Sequence, residues 1–225
     1  MGEYFNWVNV DKKEYLCPAD FDLGNKLHES MYRGNSVLSA LHSLLSSEWR
    51  GDRILFLGDE CKMPIDPKYE VLQILANETR QRKTGHYHDT VVETYRNVSC
   101  LFKEAEAEVR QGIDYYITNL GNSSAVSHDT NEYGINIDHP FDGLFLKCGK
   151  NYRYTINYTK KVYYSLDFTK ILHLDRSENS NADPLPLLMG YGRSASLGSW
   201  LGDRIGVADE VEGPYTQIEE IMLDW

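Results

Sequence analysis

Cysteine is scarce in this chain, and what there is of it is scattered: Cys17, Cys61, Cys100 and Cys148 form no Cys-x-x-Cys pair among 225 residues. That spacing argues against a zinc ribbon or a dithiol redox motif and predicts reduced thiols in a cytosol. No apolar run is long enough to span a bilayer, and no basic start leads into an apolar stretch as in a signal peptide. A cytoplasmic protein without membrane contact is therefore expected, in which the Asn-x-Ser/Thr triplets at Asn77, Asn97, Asn122 and Asn157 carry no glycan. Positive charge is short too. With 23 Lys and Arg against 34 Asp and Glu the net charge is −11, which counts against non-specific binding to nucleic-acid phosphate and favours a basic partner.

Catalytic signatures are missing as well. Ser194, Ser196 and Ser199 sit in no Gly-x-Ser-x-Gly elbow, and no cysteine lies in a nucleophile signature. Gly190-Tyr191-Gly192-Arg193 offers backbone amides that suit a phosphate. It lacks the strand-to-helix context of the Walker or dinucleotide fingerprints, so a plain loop is expected. No cofactor is implied by any motif.

What is there is repetition. Trp49-Arg-Gly-Asp-Arg-Ile54 returns as Trp200-Leu-Gly-Asp-Arg-Ile205, each copy running on through an apolar stretch to Asp-Glu. Upstream of each copy, at a similar distance, stands a second element. Tyr4 to Tyr15 and Tyr152 to Tyr163 share Tyr, Asn (Asn9, Asn157), Lys-Lys (Lys12-Lys13, Lys160-Lys161) and Tyr at matching positions, with Val8 answered by Ile156. Repetition of order and spacing together predicts a duplicated unit.

The chain in order predicts a hairpin over 4–16 turning at Asp11-Lys12-Lys13, then a helix capped by Asn35 or Ser36 with Val37, Leu38, Leu41, Leu44 and Leu45 inward. Ile54–Leu57 reads as a strand buried on both faces. Asp66-Pro67 starts a helix with Tyr69, Leu72, Leu75 and Ala76 as its stripe, ended by the polar run from Asn77 to Gly85. Helix and strand are equally compatible with 86–95. Ser99 caps a helix over 100–111, 115–117 is a strand, 119–142 a loop and 144–146 a strand. The 144–146 strand is expected to form a hairpin with 152–158 about a turn at Gly149-Lys150-Asn151, continuing through Lys160-Lys161 into 162–167, followed by a loop over 177–198 and a short helix or edge strand from Ile218 to Leu223.

Candidate site residues follow from the repeats. Asp52, Arg53, Asp203 and Arg204 either present charge beside a tryptophan or make a turn and an ion pair. Lys12, Lys13, Lys160 and Lys161 either hold an anion or blunt a hairpin edge. Tyr191 and Arg193 belong to the glycine loop. His86, His88 and Asp89 resemble metal ligands, because alternate strand residues share a face, but a third protein ligand has to come from elsewhere.

The pairing of Val8–Tyr15 and Ile156–Tyr163 with the two Trp-x-Gly-Asp-Arg-Ile elements resembles a group of small bacterial proteins that often carry one copy of the pair. The resemblance covers both ends of the chain and not 61–142, and it implies a bacterial cytoplasmic origin without implying an activity.

The expectation is an α+β fold: related β-rich halves at 1–60 and 143–225 around a pseudo-twofold axis, joined by a helical and loop segment at 61–142. The expected function is that of a non-enzymatic binding protein contacting a basic macromolecule, of the immunity or inhibitor type, with abundant tyrosine suited to an interface. The competing expectation is an enzyme or small-ligand binder. Its cleft between the halves would be lined by Asp52, Arg53, Asp203, Arg204 and the 190–194 loop.

Overall fold

Alternating apolar and polar residues make the first hairpin, β1 (Phe5–Asn9) and β2 (Glu14–Leu16), with Asn9 opposite Glu14. In this computed structural model the described residues are 2–21, 26–33, 35–61, 67–102, 152–193 and 197–223. Asn35 accepts the Leu38 N–H at 2.8 Å and so starts α1 (Ser36–Ser46), whose apolar stripe is buried as its spacing predicts. The continuous apolar run becomes β3 (Ile54–Gly58), buried along its length and antiparallel to β1 with Asn9 opposite Ile54. Helices α2 (Glu70–Arg82) and α3 (Tyr87–Thr94) and strand β4 (Arg96–Asn97), parallel to β2, complete the first part.

The second part begins with the expected hairpin, β5 (Tyr154–Asn157) and β6 (Val162–Tyr164). It continues with β7 (Lys170–Leu172), α4 (Leu185–Met189), β8 (Gly190–Tyr191), β9 (Ile205–Ala208), β10 (Thr216–Gln217) and β11 (Glu220–Met222). The fold is α+β. Three sheets have the orders β4-β2-β1-β3-β8, β10-β6-β5-β9 and β11-β7.

The first four strands of the first sheet and the four of the second correspond in order, direction and register. Asn9 faces Ile54 as Asn157 faces Ile205, and Glu14 faces Arg96 as Val162 faces Thr216. Backbone bonds repeat too: Arg96 N–H to Lys13 and Val98 N–H to Tyr15 are matched by Thr216 N–H to Lys161 and Ile218 N–H to Tyr163. Helices are exchanged between the parts, α1 packing on β9 and α4 on β3. Both Trp49 and Trp200 lie in the large core that these elements enclose with Trp7, Phe56 and Ile205. Because strand residues alternate in direction, Leu55 and Leu57 face the other way, into a second core with Leu72, Leu75, Tyr87 and Val91 of α2 and α3. The helical connection thus covers the outer face of the first sheet.

Several expectations are corrected. The polar run after Ala76 does not end α2, which continues to Arg82 and stops where Lys83 takes a left-handed φ of 61°. Nor does it start at Asp66-Pro67: Pro67 is not helical, Tyr69 is the N-cap at 37% exposure and the first helical residue is Glu70, while the stripe of Val71, Leu72, Leu75, Ala76 and Thr79 is buried. Tertiary packing sustains a helix that polarity alone would terminate. The expected loop at 177–198 contains α4, buried along all five residues, and β8, which pairs parallel with β3. Ser99 accepts the Cys17 N–H at 2.9 Å. Of the helix expected after it, 100–102 is helical and the rest lies outside the described residues, as do Asp66, 115–117, 119–142 and 144–146.

Candidate functional site

The repeated motifs are turned inward. Asn9 donates Nδ2 to Asp52 Oδ2 at 2.9 Å and accepts the Lys12 N–H at 2.9 Å; Asn157 donates to Asp203 at 2.7 Å and accepts the Lys160 N–H at 2.8 Å. Each asparagine therefore ties a hairpin turn to the Gly-Asp turn before the third strand. Both turns need left-handed backbone, at Lys13 and Lys161 (φ 55° and 58°) and at Gly51 and Gly202 (φ 78° and 73°). The lysine side chains are engaged as well. Lys12 meets Glu48 at 3.5 Å, Lys13 meets Glu78 at 2.8 Å, Lys160 meets Asp203 at 2.9 Å, and Lys161 lies 5.3 Å from the centre of the Tyr215 ring.

Arg53 and Arg204 come together at an antiparallel bridge between the two parts. Asp11 serves both: Arg53 grips its carboxylate with side chain and backbone, and Arg204 Nη1 lies 3.3 Å from Oδ2. Burial pulls the Asp11 carboxyl upward, but bonds to Arg53 and the charges of Arg53 and Arg204 hold it below its ordinary value. Thr159 takes the place of Asp11 in the second copy, accepting the Arg204 N–H at 2.9 Å.

The glycine loop is not part of this junction. β8 pairs with Phe56 and Leu57, which puts Gly192 and Arg193 beside the far end of β3, about 16 Å from Arg53 at five residues of strand rise. Arg193 pairs there with Glu60 at 2.9 Å, and Tyr191 packs 6.1 Å from Tyr87, its hydroxyl pushed up to about 12 by burial and the nearby Cys61. His86 and His88 do not alternate on a strand, since α3 begins at Tyr87. His88 contacts Asn6 at 3.0 Å, and among the described residues no group of three His, Cys, Asp or Glu is placed to hold a metal.

Among the described residues, two grooves lie elsewhere, where the segments leading into α1 and α4 pair with each other. Tyr32 bridges Ala182, Arg33 N–H bonds Asn181, and Asp183 N–H bonds Met31. A groove of about 330 Å³ opens there between His28, Met31 and Tyr32 on one wall and His173, Asn179 and Asn181 on the other. It adjoins a second of about 480 Å³, lined by Arg33, Asp167, Phe168, Lys170 and Glu178, with Asn179 common to both. Tyr32 and Phe168 in the walls, and Leu174 next to His173, are 66%, 55% and 60% exposed. Beneath, Asp183 accepts the Tyr164 hydroxyl at 2.8 Å and the Leu185 N–H at 2.9 Å, and His42 Nε2 stands 3.8 Å from its second oxygen, sealed from solvent without a hydrogen bond. Desolvation lowers the His42 pKa despite the neighbouring Asp183 charge.

The sequence reading missed these groove residues because no local pattern joins 28–33 to 166–182. Phe168 and Leu174, large apolar residues set among Asp, Thr and His, were the available hint. Compared with models of protein families, with curated proteins and with solved structures, the chain gives no match.

Proposed function

We propose that this chain is a binding protein of the bacterial cytoplasm, of the immunity or inhibitor type, which contacts a basic macromolecule through the face around the two grooves. The observation that carries this reading is that Tyr32 and Phe168 stand exposed in the walls of adjoining grooves built from both parts of the chain, with exposed Leu174 following the groove residue His173. Aromatic and aliphatic anchors beside recesses are where interfaces concentrate their affinity. Charge supports a basic partner: residues 205–225 hold six Asp and Glu and no Lys or Arg, and β11 in that stretch lies alongside β7, which lines the larger groove.

The matched registers and hydrogen bonds of the two four-stranded units support descent of both from one duplicated ancestor, with α1 and α4 exchanged across the junction. On that reading the shared residues, Asn9 and Asn157 above all, keep the architecture. Function then belongs to parts without a counterpart, such as β7, β11 and the 173–183 segment.

Affinity capture with the immobilised protein tests the proposal. A partner retained by the natural chain and by a Lys12→Ala, Lys160→Ala variant, but lost by Tyr32→Ala, Phe168→Ala, Leu174→Ala, is the expected result. Equal retention by the last variant contradicts it. The competing reading, a small-ligand binder, keeps the 330 Å³ groove as its site. A saturable thermal shift with a small molecule, abolished at Tyr32 and Asn181, would favour it.

A further inference from the structure

We propose that the outer edge of β10 and β11, from Thr216 to Met222, is a docking strand to which a basic protein partner adds an extended segment by β-pairing. Both are edge strands, β10 beside β6 and β11 beside β7, and among the described residues no strand lies on their other side. In a parallel ladder alternate residues turn both backbone groups to the neighbouring strand and the residues between them turn theirs away. Thr216 N–H bonds the Lys161 carbonyl at 3.0 Å and Ile218 N–H that of Tyr163 at 2.8 Å, so Gln217 between them points its own N–H and C=O outward. In β11, Lys170 N–H bonds the Glu219 carbonyl at 2.9 Å and Leu223 N–H that of Leu172 at 2.7 Å. With Ile221 opposite Ile171, Glu220 and Met222 likewise face outward. All three outward residues are exposed, whereas Ile221 and Leu223 are buried in the large core and anchor the strand. An edge of this kind is a template for an added strand.

Charge selects the occupant. Glu219 and Glu220 stand exposed on this edge, and residues 205–225 contain no Lys or Arg. Glu220 meets Arg176 at 3.5 Å with both side chains exposed, a contact that costs little to exchange. A second copy pairing edge to edge would set these glutamates against their own kind, which disfavours it. Glu220 and Met222, two residues apart, share a face. A strand with Lys or Arg opposite Glu220 and an apolar residue opposite Met222 therefore matches both. This deepens the reading of a basic partner and rests on it, giving the recognised segment an extended shape.

Two probes test this: a labelled peptide repeating Lys-Thr-Val-Thr, and the same peptide with its amides N-methylated, which keeps the charge but cannot join a ladder. The first should bind saturably by fluorescence anisotropy and slow hydrogen exchange at the Gln217, Glu220 and Met222 amides, and the second should do neither. Met222→Pro removes one outward N–H at an edge position that tolerates proline. It and the pair Glu219→Lys, Glu220→Lys should each weaken peptide binding about tenfold. No binding, equal binding of the methylated peptide, or unchanged exchange at those amides overturns the proposal. Should Met222→Pro not fold, the two peptides decide on the natural chain. Tyr32→Ala, Phe168→Ala, Leu174→Ala should bind the peptide as the natural chain does, and loss there would place it in the grooves and overturn the edge. A captured partner that needs those three side chains but is retained by Met222→Pro likewise overturns the edge while upholding the groove face.

Discussion

Asn9 and Asn157, 148 residues apart (157 − 9), hold equivalent partners: each bonds the aspartate of a Trp-x-Gly-Asp-Arg-Ile turn and the backbone N–H of the first lysine in its hairpin. Both asparagines are fully buried, so neither bond can be replaced by water without opening the turn. Asn157→Ala is expected to cost about 2 kcal/mol and Asn9→Ala about 1 kcal/mol, read by urea unfolding. The order follows from the acceptors, because Asp203 is buried whereas Asp52 is half-buried and rehydrates. A larger loss at Asn9 would mean that the two turns are not equivalent supports.

The glycines of the same turns separate backbone strain from collision. Gly51→Ala puts an alanine at φ 78° with open space around it, the nearest atom being Tyr158 Cδ2 at 4.0 Å, and should cost about 1 kcal/mol. At Gly202 a Cβ would also meet Val71 Cγ1 at 2.6 Å, so Gly202→Ala should cost clearly more. Adding Val71→Ala to Gly202→Ala should recover part of that excess, which a double-mutant cycle measures.

Stability should fall on the acid side of neutrality because of His42. Its folded pKa lies below that of the unfolded chain through desolvation, so the unfolded state binds more protons once the pH drops below about 6.5. The contribution is full above that pH and is lost as the pH falls. Tm followed from pH 7.5 to pH 5 should decline in the natural chain and be flatter in His42→Leu. Asp11 has a depressed folded pKa, so its contribution is present above the ordinary aspartate range and is lost only at still lower pH, as the carboxyl is protonated.

Buried Asp183 gives a further expectation. It accepts the Tyr164 hydroxyl, whose pKa burial and the Asp183 charge push well upward. Tyr164→Phe keeps the ring packing 5.7 Å from Trp200 and removes one donor from a buried carboxylate. A loss of about 2 kcal/mol is expected by chemical denaturation. A neutral result would show that the Leu185 N–H alone satisfies Asp183.

Much of the local structure was legible in the sequence. Asn35 announced α1, the run Ile54-Leu-Phe-Leu57 announced a doubly covered strand, and the two Lys-Lys turns announced hairpins, because each signal is carried by residues adjacent in the chain. What was not legible depends on distant partners. Gly190-Tyr191 is a strand only because β3 offers Phe56 and Leu57, and Leu185–Met189 is apolar on every side, without the periodic contrast that marks a helix. The grooves escaped notice for the same reason: Tyr32 and Ala182 meet through a bridge between segments with no strand signal of their own.

The proposed contact face is tested most directly by backbone hydrogen exchange on the protein alone and saturated with its captured partner. Slowed exchange at 28–33 and 166–182, with the turns at 11–13 and 159–161 unchanged, is the predicted footprint. Protection centred on those two lysine turns, with 28–33 and 166–182 exchanging as before, would contradict it.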